Sequence, residues 1–460
     1  MSQFSLPKKG SKIFFAGLGG IGMSALAQFI NSLGYQVAGS DRDISSPSQA
    51  DLFAKLAKQG IQHFVQDGSG VKAFAPDLIV FSSALEDDNP DFLAAPQTSR
   101  MHRSQAMAAA VDQSGLKAIA VAGSCGKTSV TAWIAATMRA MGKAPVMING
   151  GYSPDLESVS YPGNFGEGAD YVIFEADESD GSLVNFTPEI SLLLNMGDDH
   201  HSKDKLEVMF KTFLENASHA VVNYDLAYLA EDHASKNTFL SNQADFSLSK
   251  VEHNQQGVTF CLNEEQSFVQ TSQWGVHSAD NALAVIASLA TCGFSLEEII
   301  PAMAAFCGVR RRFELKGRIQ NVPLYDDYAH NPQKIAACIA AAQEIYTGPV
   351  LVFFQPHGYG PLGFMAEALQ RELEGVLNSQ DKFVFLPVFY AGGTTSFKPT
   401  SKEVCESYAK AGLRVDELEH RDMCQNYLEE EAKHYSCILI VGARDPSIPL
   451  WSLSLTDGAS

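Results

Sequence analysis

Gly123-Ser124-Cys125-Gly126-Lys127-Thr128 follows the apolar run Leu116–Ala122 and leads into a helical pattern that starts at Lys127. A glycine turn between a buried strand and a helix is where a chain can cradle phosphate. Backbone N–H groups and Lys127 would meet β- and γ-phosphates, and the Thr128 hydroxyl would reach Mg²⁺. The usual phosphate loop has four residues between its glycines. This one has two, with Val121 where the outer glycine would stand.

A metal beside such a loop needs further oxygen or imidazole ligands. Two polar segments end apolar runs and so should emerge at the same sheet edge as the loop: Glu175-Ala176-Asp177-Glu178-Ser179-Asp180 and Asn195-Met196-Gly197-Asp198-Asp199-His200-His201. Glu175 and His200 are the candidate ligands beside Thr128, because Mg²⁺ takes few protein ligands and completes its shell with phosphate oxygens and water. Upstream, Gly17, Gly19 and Gly22 form G-x-G-x-x-G after an apolar run, and Asp41 closes the next run. That pattern fits a diphosphate-bearing ligand without choosing it. Downstream, Arg310-Arg311-Arg312 can bring a guanidinium to a transferring phosphoryl group, and Asp327 and His330 end a further apolar run.

The elements that position these residues alternate between strand and helix throughout, which predicts an α/β protein with mostly parallel sheets. Strands are expected at 12–16, 35–41, 77–84, 116–122, 171–177, 190–196, 219–225, 323–330, 349–356, 382–389 and 437–443. Helices are expected at 23–33, 101–111, 127–141, 280–290 and 332–345. The polar stretch 236–274 reads as small strands. Three domains fit best, over 1–113, 114–312 and 313–460.

The chain has 460 residues, too many for one core. Its net charge of −20 argues against non-specific nucleic-acid binding, while leaving small anionic ligands open to local cations and N–H groups. Eight scattered cysteines without a C-x-x-C pair read as reduced thiols. No apolar run has the length of a membrane span or signal peptide, so a cytoplasmic protein is expected, monomeric or dimeric.

The order of these pieces resembles that of the Mur ligase family, the ATP-dependent amide-bond ligases of peptidoglycan synthesis. The likeness is carried by the short G-x-x-G-K-T loop and by GLGGIGMSALAQFINSLGYQVAGSD, EADESDGSLVNFTPEISLLLN, GVRRRFELKG, DDYAHNP and FFQPH. The resemblance implies an N-terminal Rossmann-like domain for a UDP-sugar, a central P-loop-type ATPase domain and a C-terminal Rossmann-like domain. It implies ATP and Mg²⁺ as cofactors, with UDP-N-acetylmuramate and an amino acid, L-alanine by default, as substrates. Gly123 to Ser129 would hold the phosphates. Lys127, Glu175, His200 and Arg312 would be catalytic, with Thr128, Glu175 and His200 at the metal. His277 and Asn281 would lie near adenine, and Asp327 and His330 at the ribose and phosphates. Gly19, Gly20, Ile21, Gly22, Asp41, Ser82, Ser83, Asp177, Ser179 and His357 would face the substrates. The chemistry implied is attack of a carboxylate on the γ-phosphate, then of an amine on the acyl phosphate, with water excluded by domain closure.

The chain departs from the family pattern at three places. Cys125 replaces a histidine, Gln105 an acid, and Gly358 and Pro361 two arginines. A carboxylate buried without a cation is costly, so either another cation takes over from those arginines or the acceptor differs. A member that recycles murein tripeptide also lacks the arginine pair and stays open as an alternative. So does a Mur-like paralogue that binds UDP-sugar without this activity. An oxidoreductase would explain Gly17–Gly22 and Asp41 but leaves Lys127, Glu175 and Arg312 without a role.

Overall fold

The computed structural model describes residues 4–178, 181–197, 202–254, 256–263, 267–390 and 396–457. Ile13–Ala16, Ile119–Ala122 and Val350–Gln355 are buried without alternation, the pattern of strands covered by helices on both faces. They are central strands of three separate sheets.

The first sheet contains β1 (Lys12–Ala16), β2 (Gln36–Asp41), β3 (Gln62–Val65), β4 (Leu78–Phe81) and β5 (Ser99–His102). All are parallel, in the order β3-β2-β1-β4-β5. Strand order reverses between β1 and β4, and the crevice beyond their carboxyl ends is where such sheets bind ligands. Gly17–Gly22 follows β1 and Ser82-Ser83 follows β4, so both flank that crevice.

The second sheet contains β6 (Lys117–Ala122), β7 (Val146–Ile148), β8 (Phe165–Gly166), β9 (Tyr171–Glu175), β10 (Ile190–Leu193), β11 (His219–Asn223) and β12 (Lys236–Phe239), in the order β12-β11-β10-β6-β9-β7-β8. Only the β7–β8 pair is antiparallel. β6 sits between β9 and β10, which brings the loop after β6 beside the ends of those two strands. The polar stretch supplies β12 and a three-stranded sheet of β13 (Leu248–Asn254), β14 (Gly257–Leu262) and β15 (Ser267–Gln270).

These two large sheets belong to one compact unit. One apolar cluster runs through both, from Ile13 and Phe29 to Phe165 and Phe213. Asn164 ties them further, donating to Ile21 O at 2.8 Å and Ser24 Oγ at 2.9 Å while accepting from Gln28 at 3.0 Å. Lys55 reaches Glu157 at 3.1 Å.

The second compact unit includes Arg310–Ser460. Its sheet contains β16 (Glu314–Ile319), β17 (Val322–Asp327), β18 (Val350–Gln355), β19 (Lys382–Phe385), β20 (Val415–Glu417) and β21 (Cys437–Gly442), in the order β16-β17-β21-β18-β19-β20. β16 is antiparallel to β17, and the others are parallel.

The mostly parallel α/β class is as expected. One expected element changes: Ser99–His102 is strand, and the helix begins at Arg103 and runs to Ser114. Residues 99–102 pair with β4, and His102 closes a capping box with Gln105, fixing the helix start after it. The strands expected at 171–177, 190–196 and 323–330 stop at Glu175, Leu193 and Asp327, leaving the chemical residues on the loops beyond.

Arg311 is a structural centre of the second unit. Its Nε lies 3.2 Å from the fully buried Asp326 carboxylate, and its Nη atoms donate to Gly442 O at 2.6 Å and Ala443 O at 3.0 Å. Burial pushes the Asp326 carboxyl up to about 6, even with Arg311 and Lys316 pulling it down. Because that value lies above the unfolded one, Asp326 lowers stability as pH rises through it. Arg311→Met should therefore destabilise the second unit by about 3–5 kcal/mol at pH 8, the cost of stranding one partner of a buried pair. The loss should shrink at pH 5, where the carboxyl is protonated. Denaturant unfolding of the full chain at both pH values measures it, and an equal loss at both would contradict this balance.

Candidate active site

The phosphate-type loop is shaped by what it packs against. Gly123 has φ +138°, and a Cβ there would lie 3.0 Å from Leu194 Cβ and 3.1 Å from Asn195 N. Gly126 has φ +87°, and a Cβ there would lie 2.7 Å from Asn281 Oδ1. Only glycine meets both demands. The Asn195 side chain, just past β10, clamps the Cys125 peptide: its Oδ1 accepts from Cys125 N at 2.9 Å and its Nδ2 donates to Cys125 O at 3.1 Å. Gly197 N donates to Ser124 Oγ at 2.8 Å. The loop is thus fixed by the neighbouring strand's end, and the Cys125 residue is exposed.

The helix Lys127–Ala140 starts at once. Lys127 Nζ donates to Gly123 O at 2.5 Å and to Glu178 Oε2 at 2.8 Å. Burial alone would lower its pKa, but Glu178, Asp177 and Glu175 outweigh this and the net shift is upward, so the ammonium stays charged. Thr128 Oγ1 donates to Glu175 Oε2 at 3.1 Å, and Gly150 N donates to Glu175 Oε1 at 2.5 Å. Thr128 and Glu175 therefore offer adjacent oxygens of the kind a hard divalent cation takes. Among the described residues no group of three or more His, Cys, Asp or Glu forms a metal cage. His200 and Ser179 lie outside the described residues.

His277 and Asn281 share a face of the helix Val276–Thr291, and Asn281 abuts Gly126. Asp280 lies on that face too, and burial pushes its carboxyl up to about 6.

At the first sheet, the helix Ile21–Ser32 opens directly after the glycine turn. Asp41 does not stand clear of it: its Oδ2 accepts from Gly19 N at 2.8 Å and its Oδ1 from Asp43 N at 2.9 Å. Arg103 reaches over the same turn. A Cβ on Gly22 would collide with its guanidinium, and its Nη2 lies 4.0 Å from Asp177 Oδ2. Gly19, Gly20, Ile21, Gly22, Arg103 and Asp177 are thus brought together within the first unit. Ser82 and Ser83 sit at the neighbouring strand end.

The second unit holds the remaining candidates, and it separates the three arginines. Arg310 pairs with Glu314 at 2.7 Å, Arg311 is committed as described, and Arg312 lies over the Tyr328 ring at 5.4 Å. Asp327 accepts from Phe313 N and Ala329 N, each at 2.7 Å. The His330 and His357 rings meet edge to face at 5.4 Å. Burial, then His330 and Arg444, lower the His357 pKa to about 4, so its imidazole is neutral at pH 7.

Sequence reading passed over Arg103, Glu178 and Asn195. Glu178 stood inside the acidic segment, three residues after Glu175, and a lysine in a tight turn calls for such a partner. Asn195 headed the second polar segment, whereas Arg103 had no local signal, since its role arises only when separate strand ends converge.

The chain matches three consecutive family models. These are Mur ligase family, catalytic domain, over residues 12–114; Mur ligase middle domain over 121–289; and Mur ligase, glutamate ligase domain, over 311–444. A UDP-N-acetylmuramate–L-alanine ligase of Carboxydothermus hydrogenoformans is 32% identical, over 94% of this chain and 93% of its own length. The protein of the same name from Myxococcus xanthus is 31% identical, over 95% and 93%. The crystal structure of a UDP-N-acetylmuramate–alanine ligase from Thermotoga maritima has a TM-score of 0.79 at 26% identity, covering 96% of this chain and 98% of that one. A murein peptide ligase from Psychrobacter arcticus shares the fold, with a TM-score of 0.68 at 22% identity over 97% and 98%.

The exposed Cys125 in the glycine loop gives a direct probe. In a Cys307→Ser background, which removes the other exposed thiol, a maleimide should inactivate the protein, and ATP with Mg²⁺ should slow the loss. Full activity after stoichiometric labelling of Cys125 would show that nucleotide does not occupy this loop.

Proposed function

The chain belongs to the Mur ligase family, and on that premise we propose that it joins L-alanine to UDP-N-acetylmuramate with ATP, releasing ADP and phosphate. The observation that carries the reading is the glycine loop with Lys127 buried against carboxylates at the edge of a parallel sheet. It is supported by relatives named for this reaction over more than nine-tenths of the chain.

A carboxylate is a poor electrophile for an amine. In the proposed sequence the muramoyl carboxylate attacks the γ-phosphorus and ADP leaves. The amine then attacks the acyl carbon, and phosphate departs with one former carboxylate oxygen. Lys127 exchanges its contact with Glu178 for β- and γ-phosphate oxygens and stabilises the spreading charge. The N–H groups of Gly123 to Ser129 orient the phosphates. Thr128 and Glu175, with His200, would hold Mg²⁺, which would supply charge neutralisation for the phosphates. Arg312 meets the γ-phosphoryl group, His277 and Asn281 the adenine, and Asp327 and His330 the rest of the nucleotide. Gly19 to Gly22, Asp41, Ser82 and Ser83 receive the UDP portion, and we add Arg103 there as the cation over the turn. Asp177, Ser179 and His357 serve the reacting ends of the substrates. The same reading divides the chain into three domains at 1–113, 114–312 and 313–460.

Phosphate release from ATP with UDP-N-acetylmuramate and each of L-Ala, Gly, L-Ser and L-Ala-γ-D-Glu-diaminopimelate tests it. Release should require the UDP-sugar and be fastest with L-Ala. Lys127→Ala should reduce kcat by about 100- to 1,000-fold, as for loss of one transition-state donor, with the thermal midpoint followed to confirm folding. Near-normal kcat in that variant, or release with the tripeptide only, would overturn the reading.

A further inference from the structure

Three neighbouring parallel strands of the second unit, β17, β21 and β18, deliver polar groups to one sheet edge. Register fixes the placement: Asp327 pairs with Val441, and Gln355 pairs with Gly442. His357 and Arg444 each stand two residues beyond the paired Gln355 and Gly442, and His330 stands three beyond Asp327. Carboxyl ends of parallel strands are where such sheets take ligands.

The turn that carries Arg444 is held on both sides by other residues. Before it, Arg311 binds the carbonyls of Gly442 and Ala443. After it, the buried Asp445 is already satisfied, by Arg421 Nη1 at 2.8 Å, Ser447 N at 2.8 Å and Ser447 Oγ at 2.5 Å. Arg421 in turn stacks on Trp451 at 4.8 Å. Arg444 itself is exposed and, among the described residues, has no hydrogen bond or ion pair. His357, on which the Arg444 charge acts, has a buried Nδ1 with no hydrogen-bond partner among the described residues. An uncommitted guanidinium on a firmly held turn, with an unsatisfied imidazole nitrogen nearby, suits a small ligand carrying an anion and a hydrogen-bonding group.

The loop after β18 cannot supply the cation itself. Gly358 has φ +143°, which L side chains rarely adopt, and a Cβ there would press on Pro361 Cδ at 3.2 Å. We propose that Arg444, projecting from the adjacent strand end, binds the α-carboxylate of the incoming amino acid in place of the arginines missing at Gly358 and Pro361. The assignment rests on the acceptor being a free amino acid, as in the proposed function. A guanidinium fits a carboxylate bidentately, and an amide of the same acid keeps the reacting amine while losing the charge.

The test compares L-Ala with L-alaninamide as acceptors, using the full chain with ATP, Mg²⁺ and UDP-N-acetylmuramate. Wild type should prefer the acid. Arg444→Ala should raise the KM for L-Ala by about 10- to 100-fold, the range for loss of a charge-assisted contact, with kcat nearly unchanged. It should leave the KM for L-alaninamide, ATP and UDP-sugar unaltered, so the acid preference disappears. Arg444→Lys should recover part of it. An unchanged KM for L-Ala, or equal losses for acid and amide, would overturn the assignment while the function stands. If wild type itself is silent with L-Ala and turns over only with a tripeptide, the functional reading fails, and the carboxylate assignment falls with it.

Discussion

A buried ammonium at the end of a parallel sheet sets the terms for the first compact unit. Lys127 is held between a backbone carbonyl and the Glu178 carboxylate, with Glu175 and Asp177 also acting on it. Arg103 is the other cation drawn towards this group, at Asp177. Among the described residues, three carboxylates stand against these two cations, so this group is short of positive charge before any phosphate arrives. A polyphosphate can settle there only if Lys127 changes partners and further positive charge comes with the nucleotide. That is the physical reason for Thr128 and Glu175 to present adjacent oxygens at the first helical turn. The same requirement explains why the loop is short and tightly clamped. With Asn195 and Asn281 packed against it, its N–H groups and Lys127 are placed by the end of β10 and the helix Val276–Thr291 rather than by the loop's own preferences.

The fold repeats one device three times. A strand buried on both faces ends, the chain turns, and polar residues collect with those from neighbouring strand ends. In the first sheet the collection is Gly17–Gly22 with Ser82 and Ser83. In the second it is the glycine loop with Glu175 and Asn195. In the third it is His330, His357 and Arg444. Each collection is stabilised by side chains that bind the backbone of its own or a neighbouring turn. Asp41 holds Gly19 N, Glu175 holds Gly150 N, and Arg311 holds two carbonyls at the end of β21. Exposed polar residues at such edges keep their geometry because these buried contacts leave the turns little freedom.

Local spacing made some of this legible in the sequence. Gly123, Gly126, Lys127 and Thr128 are neighbours in the chain, so their convergence needs no tertiary information. The same holds for Gly17–Gly22, and for the helix expected at 332–345, which runs from Pro332 to Ile345. What escaped depends on strand order. Arg103 lies over Gly22 because β5 ends beside β4 and the helix after it starts at once; the stretch Met101–Val111 reads as one helix, which masked that boundary. The three consecutive arginines could not be told apart by composition. Only the fold commits Arg311 to a buried carboxylate and Arg310 to Glu314, leaving Arg312 against Tyr328. Likewise a glycine at 358 reads as a lost arginine, whereas its φ belongs to a backbone that arginine would strain. Ser179 and His200 were read from pattern alone and lie outside the described residues.

The account turns on phosphoryl transfer to a carboxylate at the Lys127 loop, and isotope transfer tests that step directly. UDP-N-acetylmuramate labelled with ¹⁸O in both oxygens of its muramoyl carboxylate would be turned over with ATP, Mg²⁺ and L-alanine, and the released phosphate analysed by mass. If the carboxylate attacks phosphorus and the amine then displaces phosphate, one ¹⁸O leaves with each phosphate and one stays in the new amide. Phosphate free of ¹⁸O, at the same rate of amide formation, would contradict the acyl-phosphate route and with it the role given to this site.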